Sequence, residues 1–181
     1  MNKKDLITRG YFPKELPPPF NTKSFADLAS ASTTLLNSCS KNTAKLYHHN
    51  HVRYGLLRRK LGIPNPAFFL QISHLIEDKW YEIQQITNKS NYTKSKPIYT
   101  PHPQRPRCIS PVLEFGFIPI ERAKNRIAGR YILQTDISQF YQSIYTHSIP
   151  WALHGKLKAK KLRQDTTLFG NKLDKLPGQT H

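Results

Sequence analysis

Carboxylates are scarce in this sequence: 11 Asp and Glu stand against 28 Lys and Arg in 181 residues, a formal net charge of +17. An imbalance of that size disfavours a basic partner and favours a polyanion, nucleic acid ahead of an anionic membrane surface. A basic chain that is merely soluble is the plain alternative. The scarcity is also uneven. No acid occurs between Asp27 and Glu77, where Lys41, Lys45, Arg53, Arg58, Arg59 and Lys60 fall, and none between Glu82 and Glu114, where Lys89, Lys94, Lys96, Arg105 and Arg107 lie. Two acid-free basic stretches suit a groove that tracks phosphates.

Cysteine is nearly absent too. Cys39 and Cys108 stand far apart without a C-x-x-C spacing, so a zinc module is unsupported and no disulfide can be inferred. No segment approaches 18 continuous apolar residues, which excludes a membrane-spanning helix. The start, "MNKKDLITRGYF", carries charge but no apolar core of a signal peptide, so the expected compartment is the reducing cytoplasm. The glycine-rich phosphate loops G-x-G-x-x-G and G-x-x-x-x-G-K-[ST] are missing, as is any internal repeat. A chain of this length buries one substantial core, as one domain or two small lobes.

The segments that are present read as follows. The first twenty residues, "RGYFPKELPPPF" among them, are Pro-rich and read as an extended arm. Ser24 and Asp27 have the spacing of a capping box, and Phe25, Leu28, Leu35 and Leu36 predict a helix near 25–38. In "YHHNHVRYGLLRRKLG", His48, His49 and His51 are too crowded for one metal and lack an acidic or thiol partner. Arg58, Arg59 and Lys60 adjoin Tyr47 and Tyr54, a mixture that can stack bases and hold phosphates; a solvated helix face is the bland reading. "NPAFFLQISHLIEDKWYEIQQI" predicts the best helix, with Asn65 as cap, Pro66 in the first turn, and Phe69, Ile72, Leu75, Ile76, Trp80, Ile83 and Ile86 as a buried stripe. His74, Glu77 and Asp78 read as surface groups on it.

A polar loop then leads to "PIYTPHPQRPRCISPVLEFGFIPI", whose prolines and β-branched residues predict short irregular strands and a hairpin. "ERAKNRIAGR" adds Arg122, Arg126 and Arg130, with Gly129 as a break. "YILQT" reads as a buried strand, and from Ile137 the apolar residues Phe140, Tyr141, Ile144 and Tyr145 recur at helical spacing. Asp136 stands at that junction. Such a carboxylate is either the cap of the following helix or a ligand for hard Mg²⁺, and local rules leave both open. Asp165 and Asp174 read as surface residues.

The wording "DIS-x-FY-x-SIYTHSIPWALHGK", from Asp136 to Lys156, resembles motif A of reverse transcriptases, with the match nearest to bacterial retron-like and defence-associated enzymes. "RGYFPKELPPPF" and "RRKLGIPNPAFFLQISHLIEDKW" are similar to the amino-terminal fingers region of the same proteins. The resemblance spans nearly the whole chain and is strongest over residues 107–156. It implies an α+β fold comprising the fingers and first part of the palm of a right-hand polymerase, with a helix-rich amino-terminal half and an incomplete palm sheet. The implied divisions are 1–64, an arm and helical region; 65–130, the fingers; and 131–181, the beginning of the palm.

The resemblance also implies roles. Asp136 corresponds to the first palm carboxylate, a ligand of both Mg²⁺ ions, and the backbone carbonyl of Ile137 helps hold the ion that accompanies the nucleotide. Tyr141 matches the aromatic steric gate beneath the deoxyribose, beside Phe140. Arg107 matches the fingers arginine that grips the triphosphate, assisted by Lys96. Arg58, Arg59, Lys60, Arg122 and Arg126 are the expected nucleic-acid contacts. The implied reaction is RNA-directed DNA synthesis: a primer 3′-hydroxyl, on an RNA template, attacks the α-phosphate of a dNTP between two metal ions. The implied setting includes antiviral defence.

The sequence departs from that family in one respect. No Asp-Asp pair occurs anywhere in it, so the Y-x-D-D hairpin that supplies the other carboxylates is missing, and Gln179 stands where the next motif would open. The expectation is an amino-terminal piece of such an enzyme, inactive on its own. The competing expectation is a non-catalytic basic module that binds nucleic acid. A metal phosphohydrolase built on Asp136 is disfavoured, because no second carboxylate cluster accompanies it.

Overall fold

The structure, a computed structural model, describes residues 1–31 and 46–176 except 53, 56, 94, 114 and 128. The chain begins with a helix, α1 (Lys3–Gly10), and not with an extended arm. The prolines that argued against a helix start only at Pro13, and the residues before them are capped from two sides. Asn2 Oδ1 accepts from the Lys4 N–H at 2.8 Å, and Glu77 Oε1 accepts from the Lys3 N–H at 2.8 Å. Asp5 in the first turn and Arg9 in the last complement the helix dipole. The Pro-rich stretch that follows is a series of turns, with Leu16 N–H on Pro13 O and Phe20 N–H on Pro17 O.

Helix α2 (Lys23–Ala31) starts one residue before Ser24, so the expected capping box does not form. Asn21 Oδ1 accepts from the Lys23 N–H instead, and Asp27 pairs with Lys4 at 2.7 Å. The buried residues of α2 are Ala26 and Ala29, while Leu28 is 57% exposed. Small side chains let α2 lie close against α1. Leu35 and Leu36, and the rest of the expected helix, lie outside the described residues.

Helix α3 (Pro66–Asn88) forms where the sequence predicted it, with Asn65 Oδ1 accepting from the Ala67 N–H at 2.9 Å. Its buried residues are Leu70, Ser73, Leu75 and Trp80, so two members of the expected stripe are fully covered and Phe69, Ile72, Ile76, Ile83 and Ile86 are half-buried. Ile7, Ala26, Ala29 and Leu70 make the core at the junction of α1, α2 and α3, with Phe25 and Phe69 packed on it. The Tyr11 ring leans on Phe69 at 4.6 Å between centroids and sends its hydroxyl to Pro64 O at 2.8 Å.

Two small antiparallel sheets flank these helices. β1 (Tyr47–Val52) pairs with β2 (Arg58–Ile63), setting His51 opposite Arg59 and Asn50 opposite Lys60. The basic run Arg58–Lys60 is therefore on a strand, not on a helix face. β3 (Pro97–Tyr99) pairs with β4 (Ile109–Pro111), which is the short hairpin that the prolines implied. A 3₁₀ turn (Phe115–Phe117) leads into α4 (Ile118–Ile127).

The expected buried strand at "YILQT" is absent. Residues 131–139 have no regular structure, and Tyr131 and Leu133 are 87% and 89% exposed. A strand buried on both faces needs neighbours to pair with, and none of the described strands reaches it. Gln139, with φ of 52°, then turns into α5 (Phe140–Ser143). Three short helices follow: α6 (Ser148–His154), α7 (Lys156–Lys161) and α8 (Phe169–Asp174), with α6 packed on α7 and α8 and α8 touching α3. Gly155, with φ of 82°, makes the bend between α6 and α7 that a side chain would strain. The described architecture is mixed α+β, and no described helix is long and apolar enough to cross a membrane.

Candidate nucleic-acid interface

The strongest gathering of expected basic residues lies between the turn after α1 and strand β2. Gly10–Glu15 form one wall of an open groove of about 520 Å³, Arg59–Gly62 form the other, and Arg107 closes one end. Lys60 lies on the face of β2 opposite buried Leu61, whereas Arg59 shares the face of Leu61; both are exposed. Arg59 pairs with Glu15 at 3.4 Å and keeps about half of its side chain in solvent. An exposed ion pair of that kind contributes little to stability, so Arg59 can exchange Glu15 for a phosphate at small cost. Lys14 adds a further cation, one that sequence reading did not single out. Its signal was available in "RGYFPKELPPPF", but the extended-arm reading hid it.

Arg107 has a different occupation from the one expected. Its Nη1 donates to Phe12 O at 2.9 Å and to Gly10 O at 3.3 Å, fastening the β3–β4 hairpin to the end of α1. Arg9 reinforces the same junction: Nη1 donates to His102 O at 2.6 Å, Nη2 to Thr100 O at 2.8 Å, and Asp5 lies at 3.6 Å. Tyr99 donates its hydroxyl to Asp5 as well. Burial, and then that bond, push the Tyr99 phenol up to about 12. Burial also raises the Cys108 thiol, whose Sγ is close beside Gly10.

Lys96 is not brought to Arg107. The Lys96 carbonyl accepts from the Val112 N–H at one end of the β3–β4 ladder, and Thr100 pairs with Cys108 at the other. Four residue steps along the strand, roughly 13 Å, separate the two ends. Arg122 and Arg126 lie one turn apart on the exposed face of α4, where with Gly129 and Tyr131–Gln134 they line an open cleft of about 320 Å³. They thus flank the segment that leads to Asp136.

Asp136 is exposed, and its Oδ1 accepts from the Ile137 N–H at 2.9 Å. The cap position of α5 belongs to Gln139, so Asp136 is not that helix's N-cap. Phe140 and Ile137 are exposed beside it, and the side chain of Tyr141 lies outside the described part of the structure. Two divalent ions a few ångströms apart need several bridging oxygens. Among the described residues no three His, Cys, Asp or Glu side chains gather, around Asp136, the β1 histidines or elsewhere. The described residues do not by themselves supply the oxygens of a two-ion centre. Asp174 also departs from expectation: it is largely buried in a pair with His147, Nδ1 to Oδ2 at 2.6 Å. Asp165 accepts from the Thr167 hydroxyl at 2.7 Å and its N–H at 2.8 Å, and these bonds lower its carboxyl.

Comparison of the chain with family models, with curated proteins and with solved structures yields no match.

Proposed function

We propose that this chain is a fingers-and-opening-palm portion of a reverse-transcriptase-like polymerase that grips nucleic acid and does not transfer nucleotides by itself. The observation that carries the reading is the Asp136–Lys156 wording, found in a chain whose Lys14, Arg59 and Lys60 line one basic groove. In this reading residues 1–64 form the arm and helical region, residues 65–130, with the second hairpin, the fingers, and residues from 131 onward open the palm. The partners are an RNA template and its primer, with the dNTP and Mg²⁺ engaged only when further carboxylates complete the site around Asp136. Arg107 supports the groove as a brace for its walls and does not reach out for a triphosphate.

The test is a paired assay on the 181-residue protein. Primer–template RNA should bind with an affinity that falls steeply with salt, and primer extension with dNTPs and Mg²⁺ should be absent. Extension that Asp136→Ala abolishes would overturn the non-catalytic part of the reading. Binding that ignores salt would overturn the groove. A non-catalytic module unrelated to polymerases is the second reading, favoured by the isolation of Asp136 among the described residues. A Y-x-D-D further along the same reading frame supports the first over the second.

A further inference from the structure

The open cleft beside α4 carries charge on one side and bare apolar surface on the other. Arg122 and Arg126 stand on the α4 side, and neither has a carboxylate partner among the described residues. The one acid of that helix, Glu121, pairs with Lys124 at 3.3 Å. Beyond Gly129 the other side is made by Tyr131, Ile132 and Leu133, all three exposed. We propose that this cleft takes an extended segment of another polypeptide in which acidic and apolar residues alternate. Spacing gives the alternation. Arg122 and Arg126 are one turn apart, about 5–6 Å between their Cβ atoms. Carboxylates two positions apart on an extended chain lie on one face, roughly 6.6 Å from each other, within reach of both guanidinium groups. The residues between and beyond them point to the opposite face, where Tyr131, Ile132 and Leu133 offer an apolar surface.

Charge and composition decide the occupant. Between Glu114 and Asp136 the sequence has four cations, Arg122, Lys124, Arg126 and Arg130, against Glu121 alone, a field that complements an acidic partner. Nucleic acid would meet the charge but not the surface. Only Tyr131 offers a ring for a base to stack on, and Ile132 and Leu133 would face a sugar–phosphate chain. A second copy of this chain is opposed by the charge of +17 that each copy carries. It also lacks the acids: Glu77 and Asp78 are the only two within two positions of each other in the sequence, and both are held in α3. A separate polypeptide, acidic and apolar by turns, satisfies both sides of the cleft.

The test is fluorescence anisotropy of a labelled peptide in the order Asp, Ile, Glu, Val, Asp, Leu, titrated with the whole chain. A control peptide has the same residues with the acids in one block and the apolar residues in another. Physiological salt screens charges beyond about 8 Å, so contact and not net charge is read. The alternating peptide should bind about tenfold more tightly than the control. Arg122→Glu with Arg126→Glu should weaken it by about tenfold, and Ile132→Ser with Leu133→Ser by a similar factor. All four positions are exposed, so thermal melts of both variants should match the parent. Arg59→Glu with Lys60→Glu should leave peptide binding unchanged, because the groove at β2 shares no residue with this cleft. A short single-stranded RNA should not displace the peptide. Equal binding of the two peptides, indifference to the serine replacements, or displacement by RNA would each overturn the proposal. Self-association of the free chain that the serine replacements disperse would also overturn it, by giving this face to a second copy.

Discussion

Arg107 Nη1 donates to the Phe12 carbonyl at 2.9 Å, joining residues 95 positions apart in the chain. With the second bond to Gly10, this side chain fixes the angle between the first helix and the β3–β4 hairpin. Its replacement should therefore show in stability before it shows in binding. Arg107→Met should lower unfolding free energy by about 1–3 kcal/mol in urea titration, the cost of leaving partly buried carbonyls unpaired. Exposed Arg59→Ala should stay within about 0.5 kcal/mol of the parent. Equal losses for the two would contradict the assignment of Arg107 as a brace.

The groove makes an electrostatic prediction. Each cation that neutralises a phosphate of single-stranded RNA releases condensed counterions, giving a slope of about 0.7 in log affinity against log salt. Lys60→Gln should flatten that slope by about this amount and weaken all sequences alike. A change confined to one base composition would point to base reading at β2 instead.

Alkaline pH should loosen the junction around Tyr99. The folded phenol titrates near 12 and an ordinary one at 10.0, so the unfolded chain releases this proton first. The stabilisation is complete below pH 10 and declines as pH rises from there through about 12. Tyr99→Phe should remove that decline at the cost of the bond to Asp5. Thermal melts across the alkaline range, with parent and variant compared, give the readout; identical slopes would refute the linkage.

Asp136→Asn should be nearly silent in the isolated chain. The asparagine oxygen can still accept from the Ile137 N–H, and the position is exposed, so stability should move by less than about 0.5 kcal/mol. Calorimetric titration of the parent with Mg²⁺ should reveal no saturable site that the substitution removes. A tight site lost with Asp136 would mean that the chain gathers more ligands than its described residues display.

Close packing at Gly170 invites a further substitution. A Cβ there would lie 2.7 Å from Pro150 Cα and 3.1 Å from the His154 ring, whose Nε2 accepts the Gly170 N–H. Backbone cannot retreat as a side-chain tip can. Gly170→Ala should cost about 1–3 kcal/mol and separate α6 from α8. A melt unchanged by the substitution would show that the two helices are not held at this distance.

What could be read from the sequence followed the range of the signal. Asn65, Pro66 and the stripe through Leu75 and Trp80 act within a few turns, and α3 formed where they placed it. The hairpin of β3 and β4 was equally local. The α1 cap was not, because Glu77 reaches Lys3 from 74 residues away. "YILQT" has the composition of a strand, but composition cannot supply a neighbour, and Leu133 stands in solvent. The Asp174–His147 pair was hidden for the same reason: its members stand 27 positions apart in the chain. Asp136 is singled out by its flanking wording alone, since neither its burial nor its local contacts mark it out.

The bonds that hold α1 have a consequence for synthesis. Lys3 waits for Glu77, Arg9 for Thr100 and His102, and the turn after α1 for Arg107. A nascent chain must therefore carry a cationic, partly apolar amino terminus until residue 107 clears the ribosome, with only local contacts to shelter it.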